Sequence, residues 1–242
     1  MIKTAIFVEG QTELIFVREY LLKMFDYENV WVECYTLFND NSLNATEYSF
    51  SNDAAEYYFQ IVNVGNDNAV LSRLLRREQY LWNSGFHKIF AIRDMYSKDY
   101  RDVAQNNIIK EGINIQFVEG TRKTINKSAK QPANIHFHFA IMEVEAWILG
   151  MKECFTHLDL SLTSTYISNR LNIDLESDPE TTHFHPAKIM ENIYGLVGRT
   201  YSKSKSDINA IMSNLQKEDF VKLSQSDKCQ SFKELHQALI AN

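Results

Sequence analysis

Five acidic residues at the ends of predicted buried strands could together form a metal site. In chain order they are Glu9, Glu13, Asp94, Glu143 and Glu145. In open α/β sheets, ligands bind beyond the carboxyl ends of the strands. Carboxylates gathered there repel one another unless a cation lies between them, and their hard oxygens suit Mg²⁺ or Mn²⁺. We therefore predict a Mg²⁺- or Mn²⁺-type site with Glu9 as its first ligand.

Each of these acids also has a simpler structural interpretation. An acid near a helix N-terminus complements the helix dipole without any ligand, which applies to Glu9 and Asp94. Glu13 could instead face solvent on its helix. Glu143 and Glu145 are two positions apart, so they cannot share a face of a helix. We expect one of them to face the site, with Glu145 favoured, unless the backbone there is still extended.

The hydrophobic pattern places these acids in alternating strands and helices. An apolar, β-branched run at 4–8 predicts a strand buried on both faces, and helical spacing from Leu14 to Met24 predicts a helix after the Glu9-Gly10 turn. An exposed loop is expected at 122–130. Further strands are predicted at 30–38, 59–64, 88–92, 113–118 and 135–141, with helices at 69–82 and 99–109.

The pattern changes near residue 150, after which no strand is predicted. Helices are predicted at 162–172, 186–197, 205–216 and 231–240. We therefore predict an α/β domain over residues 1–150, with a mostly parallel sheet flanked by helices, and a C-terminal helical subdomain or cap over residues 151–242.

Composition narrows the classes of function. The chain has 242 residues and a net charge of −6, so composition does not indicate a strongly basic nucleic-acid binder. Bound metal ions would still let an acidic protein act on phosphates. The three cysteines, Cys34, Cys154 and Cys229, are widely spaced, which argues against a disulfide framework and favours the cytoplasm. No run reaches the roughly 18 apolar residues of a membrane span, and no membrane association is expected.

Two basic stretches could contact a nucleic-acid backbone, although such stretches are often simply solvated. Tyr201 could also stack on a base. Lys188 and Lys203 could offset the charge that develops on a phosphate in a transition state. The predicted nucleic-acid contacts are Arg122, Lys123 and Lys127 in one stretch and Arg199, Tyr201, Lys203 and Lys205 in the other.

Two histidine pairs have the alternating spacing of strand residues that share a face. They are His136 with His138, and His183 with His185. Either pair could bind Zn²⁺, but no third ligand follows at a recognisable interval. We expect the first pair to be exposed or hydrogen-bonded. His185 would lie near the acidic site only if the helical part of the chain folds over it.

Three segments resemble motifs of the TOPRIM domain, particularly in stand-alone relatives of OLD-type nucleases. Phe7-Val8-Glu9-Gly10-Gln11-Thr12-Glu13 is similar to the first motif, and Met142-Glu143-Val144-Glu145-Ala146-Trp147 to the late acidic motif. Ile89-Phe90-Ala91-Ile92-Arg93-Asp94-Met95-Tyr96 corresponds to an intervening Asp-x-Asp motif. The second Asp of that motif is replaced by Tyr96. The resemblance covers about residues 1–150.

The resemblance implies a Rossmann-like TOPRIM fold and metal-dependent phosphodiester cleavage of nucleic acid, with DNA favoured over RNA. Two cations about 3.5–4 Å apart would clamp the attacking and leaving oxygens. Glu9 would bind metal or act as a general acid or base, Asp94 would anchor metal, and Lys188 is a candidate catalytic cation. Prokaryotic defence or DNA processing is the implied setting.

Stand-alone members of the family that the motifs resemble are often encoded beside an ABC/SMC-like ATPase. The chain has no Gly-x-x-x-x-Gly-Lys-[Ser/Thr] motif, so ATP hydrolysis would come from such a partner. An oligomer is compatible with the sequence. Two other functions stay open: a catalytically degenerate module that binds a partner protein or nucleic acid, and a primase-like nucleotidyl transferase.

Overall fold

The computed structural model describes residues 1–240, apart from the side chains at positions 67 and 105, and the chain divides into two compact units. The first unit comprises Met1–Arg93 and Asn114–Phe139. The second comprises Asp94–Ile113 and, among the described residues, 140–240. The second unit thus begins earlier than residue 150 and includes a segment that lies between two strands in the sequence.

The strands of residues 1–240 form one mixed sheet. They are β1 (Ile2–Val8), β2 (Val30–Leu37), β3 (Leu43–Ala45), β4 (Tyr57–Asn63), β5 (Phe86–Asp94) and β6 (Ile135–Ala140). Their spatial order is β3-β2-β4-β1-β5-β6. β1 pairs in parallel with β4 and β5, β2 pairs in parallel with β4, and β3 is antiparallel to β2. The predicted α/β fold with a mostly parallel sheet is confirmed.

Helices flank the sheet and make up the C-terminal region. In residues 1–150 they are α1 (Gln11–Met24), α2 (Val70–Asn83), α3 (Lys98–Val103), α4 (Glu111–Ser128) and α5 (Val144–Gly150). They continue as α6 (Glu153–Leu158), α7 (Ser164–Leu171), α8 (Pro179–Thr182), α9 (Pro186–Gly195), α10 (Lys205–Asn214), α11 (Lys217–Gln225) and α12 (Gln230–Ile240). Within residues 1–240, no helix has both the length and the apolarity needed to cross a membrane.

The core of the first unit explains why β1 lacks polar alternation. The strand has a parallel neighbour on each side, and its residues from Ala5 to Val8 are fully buried. Phe7 belongs to a cluster with Val70 and Leu74 of α2, Ala91 of β5 and Ile125 of α4. α1 contacts β2 and β4. A strand covered on both faces is expected to be apolar throughout.

The segment 113–130 differs from its prediction, because α4 replaces both the expected strand at 113–118 and the expected loop at 122–130. A short apolar run cannot be assigned to a strand or a helix from periodicity alone. Val118, Thr121 and Ile125 recur at helical spacing, and Ile125 is buried in the core. Consequently Arg122, Lys123 and Lys127 project from a helix of defined geometry.

Candidate metal centre

Three buried carboxylates converge in the second unit. Asp94, Glu143 and Glu145 each offer an oxygen, and these oxygens all lie within 4.8 Å of one another. All three side chains are buried, and Glu145 is 0% exposed. Like charges confined away from water require a compensating cation. The cluster could therefore bind a divalent metal ion.

The backbone before α5 allows neighbouring acids to face the same site. Glu143 precedes the helix with φ −144° and ψ 156°, which is extended, whereas Glu145 lies in the first helical turn. Two residues that are two positions apart cannot share a face of a helix, but the extended backbone at Glu143 removes this restriction. Both acids therefore belong to the cluster. Asp94, at the end of β5, accepts a hydrogen bond from the Val144 N–H at 2.9 Å. That acid therefore also caps the start of α5.

Lys203 supplies positive charge directly to the cluster. Its Nζ lies 2.9 Å from Glu143 Oε1 and 3.1 Å from the Glu145 carboxylate. Burial alone would lower the pKa of Lys203, but the charges of Glu145, Asp94 and Glu143 outweigh it and raise the pKa above its ordinary value. Lys203 is thus a counter-ion within the cluster, a role that its place in a basic stretch does not reveal.

Glu143 is also held by the beginning of α9. Its Oε2 accepts the Ala187 N–H at 2.8 Å and lies 2.8 Å from His185 Nδ1. Burial raises the pKa of Glu143, but Lys203 and these donors together lower it below its ordinary value. The carboxylate is therefore ionised at neutral pH and can only accept. It follows that His185 Nδ1 carries a proton, which leaves Nε2 as an acceptor in the neutral ring.

Tyr96 stacks beside this histidine. Its ring lies 4.6 Å from the His185 ring, centroid to centroid, with an interplanar angle of 14°. The Arg101 guanidinium lies 5.1 Å from the Tyr96 centroid. Tyr96 therefore adds no carboxylate to the site but fixes the plane of an imidazole hydrogen-bonded to Glu143.

Tyr201 is buried, and the prediction that it stacks on a base is wrong. Its ring lies 5.3 Å from that of Tyr194, and its hydroxyl donates to Glu145 Oε1 at 2.7 Å. Burial and the neighbouring Glu145 charge raise the pKa of Tyr201, so the hydroxyl stays protonated and remains a donor. A ring enclosed in the protein cannot offer a face to nucleic acid.

Glu9 and Glu13 belong to the first unit. Gly10 lies between β1 and α1, and a Cβ atom there would lie 3.0 Å from Glu13 Oε2. Glu13 is buried, which rules out the solvent-facing alternative, and Glu9 is half-buried. The turn is therefore closely packed around Glu13, while the participation of Glu9 and Glu13 in a metal site remains a prediction.

The other lysines and arginines that the sequence analysis predicts as site residues lie at the surface. Lys188 is exposed and forms an ion pair with Glu191 one turn further along α9. That pairing gives no support to a catalytic role. The other predicted nucleic-acid contacts, Arg122, Lys123, Lys127, Arg199 and Lys205, are all exposed. Their position is compatible with phosphate contact, which remains a prediction.

No family model matches the chain, and no curated protein or solved structure matches it. The resemblance to the TOPRIM domain therefore remains a prediction carried by its motifs. An α/β sheet hosts many unrelated activities, so function has to be argued from the site itself.

Sequence reasoning missed another buried acid of the second unit, Glu180. Its Oε1 accepts the Trp147 indole N–H at 2.9 Å and the Ser231 hydroxyl, and its Oε2 accepts the Ser231 N–H at 3.1 Å. Burial raises the pKa of Glu180 to about 7 despite these donors. This acid joins α5, α8 and α12.

The raised pKa of Glu180 predicts a specific pH dependence of stability. The folded state favours the uncharged acid, so this contribution is fully present below pH 4.5 and is lost as pH rises to about 7. At about 1.4 kcal/mol per pKa unit, the interval from 4.5 to about 7 corresponds to a loss of about 3–4 kcal/mol. Urea unfolding of wild type and Glu180→Gln across this range should give profiles whose difference changes by that amount, and parallel profiles would contradict it.

Proposed function

We propose that the chain is a divalent-metal-dependent phosphodiesterase that acts on nucleic acid. The observation that carries the proposal is the convergence of Asp94, Glu143 and Glu145 within 4.8 Å in a buried site. Carboxylate oxygens are the preferred ligands of Mg²⁺ and Mn²⁺. An ion held there would supply the positive charge that hydrolysis of a phosphodiester needs.

The three carboxylates fit a divalent ion, and the position of Lys203 shows that they attract positive charge. Its ammonium already lies against two of the three carboxylates, which is where positive charge is most favourable. Asp94, Glu143 and Glu145 would hold the metal, which when bound would act as a Lewis acid and lower the pKa of a water ligand.

His185 is suited to accept a proton from the attacking water. Glu143 fixes Nδ1 as the protonated nitrogen, and stacking on Tyr96 fixes the plane of the ring. The His185 side chain is 45% exposed, so solvent and substrate can reach it. A positioned imidazole of this kind contributes about 10²–10⁴-fold to hydrolysis rates.

Lys203 would then stabilise the negative charge that develops on the phosphate. Once a metal ion neutralises Glu143 and Glu145, the ammonium no longer has to do so, and its side chain is 35% exposed. A cation aimed at a developing negative charge stabilises the transition state.

The TOPRIM-like motifs are the basis for the proposed setting, which is prokaryotic defence or DNA processing. DNA is favoured over RNA as the substrate, and an ABC/SMC-like ATPase is the proposed partner.

A second candidate function is a catalytically degenerate module that binds a partner protein or nucleic acid. Two observations favour it: Lys203 already compensates the acidic cluster, and Tyr96 provides a ring where the related motif has a carboxylate. In that case the Lys203 ion pairs would be structural, and added metal ions would change neither stability nor activity.

Cleavage assays distinguish the two functions. Plasmid, single-stranded DNA and RNA should be incubated with Mg²⁺ or Mn²⁺ and with wild type, Glu145→Gln or the surface control Glu191→Gln. We expect metal-dependent cleavage by wild type and the control, and at least about 100-fold slower cleavage by Glu145→Gln. Equal cleavage by all three proteins would contradict the proposal.

Two further variants test the roles of His185 and Glu9 in cleavage. His185→Gln should slow cleavage by about 10²–10⁴-fold and weaken metal binding less than that, because the imidazole acts on water and touches the proposed ligand Glu143 only through a hydrogen bond. Glu9→Gln tests whether the acid of the first unit contributes to the same reaction. Unchanged cleavage by Glu9→Gln would remove Glu9 from the catalytic set while leaving the three-acid site intact.

A further inference from the structure

A cavity of about 370 Å³ lies on one face of the sheet in the first unit. Its floor is a row of residues near the beginning of four neighbouring strands. Residues in register on adjacent strands project from the same face of a sheet. Trp31 of β2 is in register with Tyr58 of β4, Tyr58 with Lys3 of β1, and Lys3 with Phe86 of β5. The structure therefore brings three aromatic rings and one lysine together on one face.

Helix α2 covers the same face and ends beside the cavity. Leu81 of α2 belongs to the core cluster with Ala5 of β1, and Phe86 packs against that cluster. The helix ends at Asn83, and Tyr80 in its last turn lines the cavity. Because Tyr80 is 65% exposed, a ligand can reach the cavity from solvent past this ring.

The aromatic rings of the floor hold one another in place. The centroids of Trp31 and Tyr58 are 6.3 Å apart with an interplanar angle of 61°, and those of Tyr58 and Phe86 are 5.9 Å apart with an angle of 65°. Such edge-to-face contacts are favourable and fix the orientation of the rings. Preformed aromatic surfaces of this kind are what the bases of nucleotides stack on.

Two polar side chains of the cavity have hydrogen-bonding groups that the protein does not use. Glu33 of β2 is in register with Gln60 of β4, and both line the cavity. The hydroxyls of Tyr35 and Tyr58 both donate to Glu33 Oε2, each at 2.5 Å. Among residues 1–240, no group hydrogen-bonds to Glu33 Oε1 or to the side-chain amide of Gln60. One acceptor and one amide are therefore available to a ligand.

The charge of Lys3 narrows the class of ligand. Its Nζ lies 6.0 Å from the centroid of Phe86 and donates to the Ser84 carbonyl at 3.3 Å. A cationic ligand would meet this like charge. A purely apolar ligand would remove water from Glu33 and Gln60 without replacing its hydrogen bonds, which is costly. A planar ligand with hydrogen-bonding groups of its own avoids both penalties.

We propose that this cavity binds the adenine base of a nucleotide, which stacks on the aromatic rings while Glu33 and Gln60 hydrogen-bond to its edge. Adenine presents its N6 amino group beside the N7 acceptor, and this is the pattern that a glutamine amide pairs with. Glu33 Oε1 offers an acceptor to an amino hydrogen. The volume lies at the lower end of the roughly 300–1,000 Å³ of small-molecule pockets, so it suits one base with its sugar.

Nuclear magnetic resonance of the indole N–H groups tests the site directly. Adenosine 5′-monophosphate, inosine 5′-monophosphate and ribose 5-phosphate should be titrated, in EDTA, to millimolar concentrations. We expect adenosine 5′-monophosphate to shift the Trp31 signal, assigned from Trp31→Phe, and to leave that of Trp147 in the second unit unchanged.

The other two compounds are controls for the base. Inosine 5′-monophosphate has a carbonyl in place of the amino group and should bind at least about fivefold more weakly, because one hydrogen bond is lost. Ribose 5-phosphate lacks the base and should cause no shift. Absence of a Trp31 shift with adenosine 5′-monophosphate, or equal affinity for the two nucleotides, would overturn the proposal.

Two glutamine variants separate the cavity from the surface around it. Gln60→Leu keeps the size of the side chain but removes the amide, and should weaken binding of adenosine 5′-monophosphate at least about fivefold. Gln79→Leu makes the same change at an exposed position of α2 that does not line the cavity, and should leave the affinity unchanged. Equal affinities of the two variants would contradict the assignment of Gln60.

A third variant tests stacking without disturbing the core. Tyr80→Ala removes a ring that is mostly exposed, and it should weaken binding at least about fivefold, whereas Tyr80→Phe should bind as wild type does. Unchanged affinity in Tyr80→Ala would contradict stacking on this ring.

The adenine could belong to a free nucleotide or to a single strand of nucleic acid. Short single-stranded oligonucleotides of adenine or of thymine nucleotides separate these sources, again in EDTA. A Trp31 shift with the adenine strand and not with the thymine strand identifies a base within a strand. A shift with adenosine 5′-monophosphate and with neither strand identifies a free nucleotide. The site uses only residues of the first unit, so its test does not depend on hydrolysis at the acidic cluster.

Discussion

The Lys203→Met variant is expected to lose about 2–4 kcal/mol of unfolding free energy in the absence of divalent metals. Methionine keeps the length of the side chain but removes the charge that faces Glu143 and Glu145. Removing one partner of a buried ion pair costs about 3–5 kcal/mol, and we reduce this because the lysine side chain is 35% exposed. Urea unfolding in EDTA measures the loss.

A matched control is available on α9. Lys188→Met removes a lysine whose ion pair with Glu191 is exposed, and such pairs contribute at most about 1 kcal/mol. If a metal ion can replace the ammonium, Mn²⁺ should restore much of the stability of Lys203→Met and little of that of Lys188→Met. Equal losses in the two variants would show that Lys203 does not compensate the acidic cluster.

Addition of Mn²⁺ is expected to stabilise the wild-type protein, and the Glu145→Gln substitution should abolish that effect. A ligand that binds only the folded state at 100 times its Kd adds about 2.7 kcal/mol to the unfolding free energy. Glu145 is fully buried within the cluster, so neutralising it removes a ligand and charge that no solvent molecule replaces. Thermal unfolding with Mn²⁺ or EDTA measures the difference.

The control for this experiment is another buried acid of the same unit. Glu180→Gln makes the same chemical change at a carboxylate that contacts Trp147 and Ser231 and is not one of the three clustered acids. Its Mn²⁺-induced stabilisation should match that of wild type. If Mn²⁺ stabilises Glu145→Gln as strongly as wild type, the ion binds elsewhere and the cluster is not its site.

The acidic residues of the cluster could be found from sequence because local patterns mark the ends of strands. Asp94 follows a run of buried residues, and Glu143 and Glu145 follow β6 within a few positions. Parallel strands bring such ends to one edge of a sheet, which makes their convergence predictable. The extended backbone at Glu143, which lets both glutamates participate, has no comparable signal in the sequence.

The partners of those acids could not be found in the same way. Lys203 and Tyr201 are more than 55 positions from Glu145, and packing between helices of the second unit brings them together. Nothing in the local pattern distinguishes Lys203 from a solvated lysine, or Tyr201 from a stacking residue. For His185 the sequence predicts a place near the acids only if the helical part of the chain folds over them, because helix packing rather than periodicity decides its contact with Glu143.

The indole of Trp147 gives the second unit an optical signal of its own. The other tryptophans, Trp31 and Trp82, lie in the first unit, so replacing both by phenylalanine leaves Trp147 as the one tryptophan, which can be excited selectively over tyrosine. Because its ring nitrogen donates to Glu180, ionisation of that acid near pH 7 places a negative charge beside the ring. Emission from Trp147 then follows a single protonation event and reports on the helical unit without any added label.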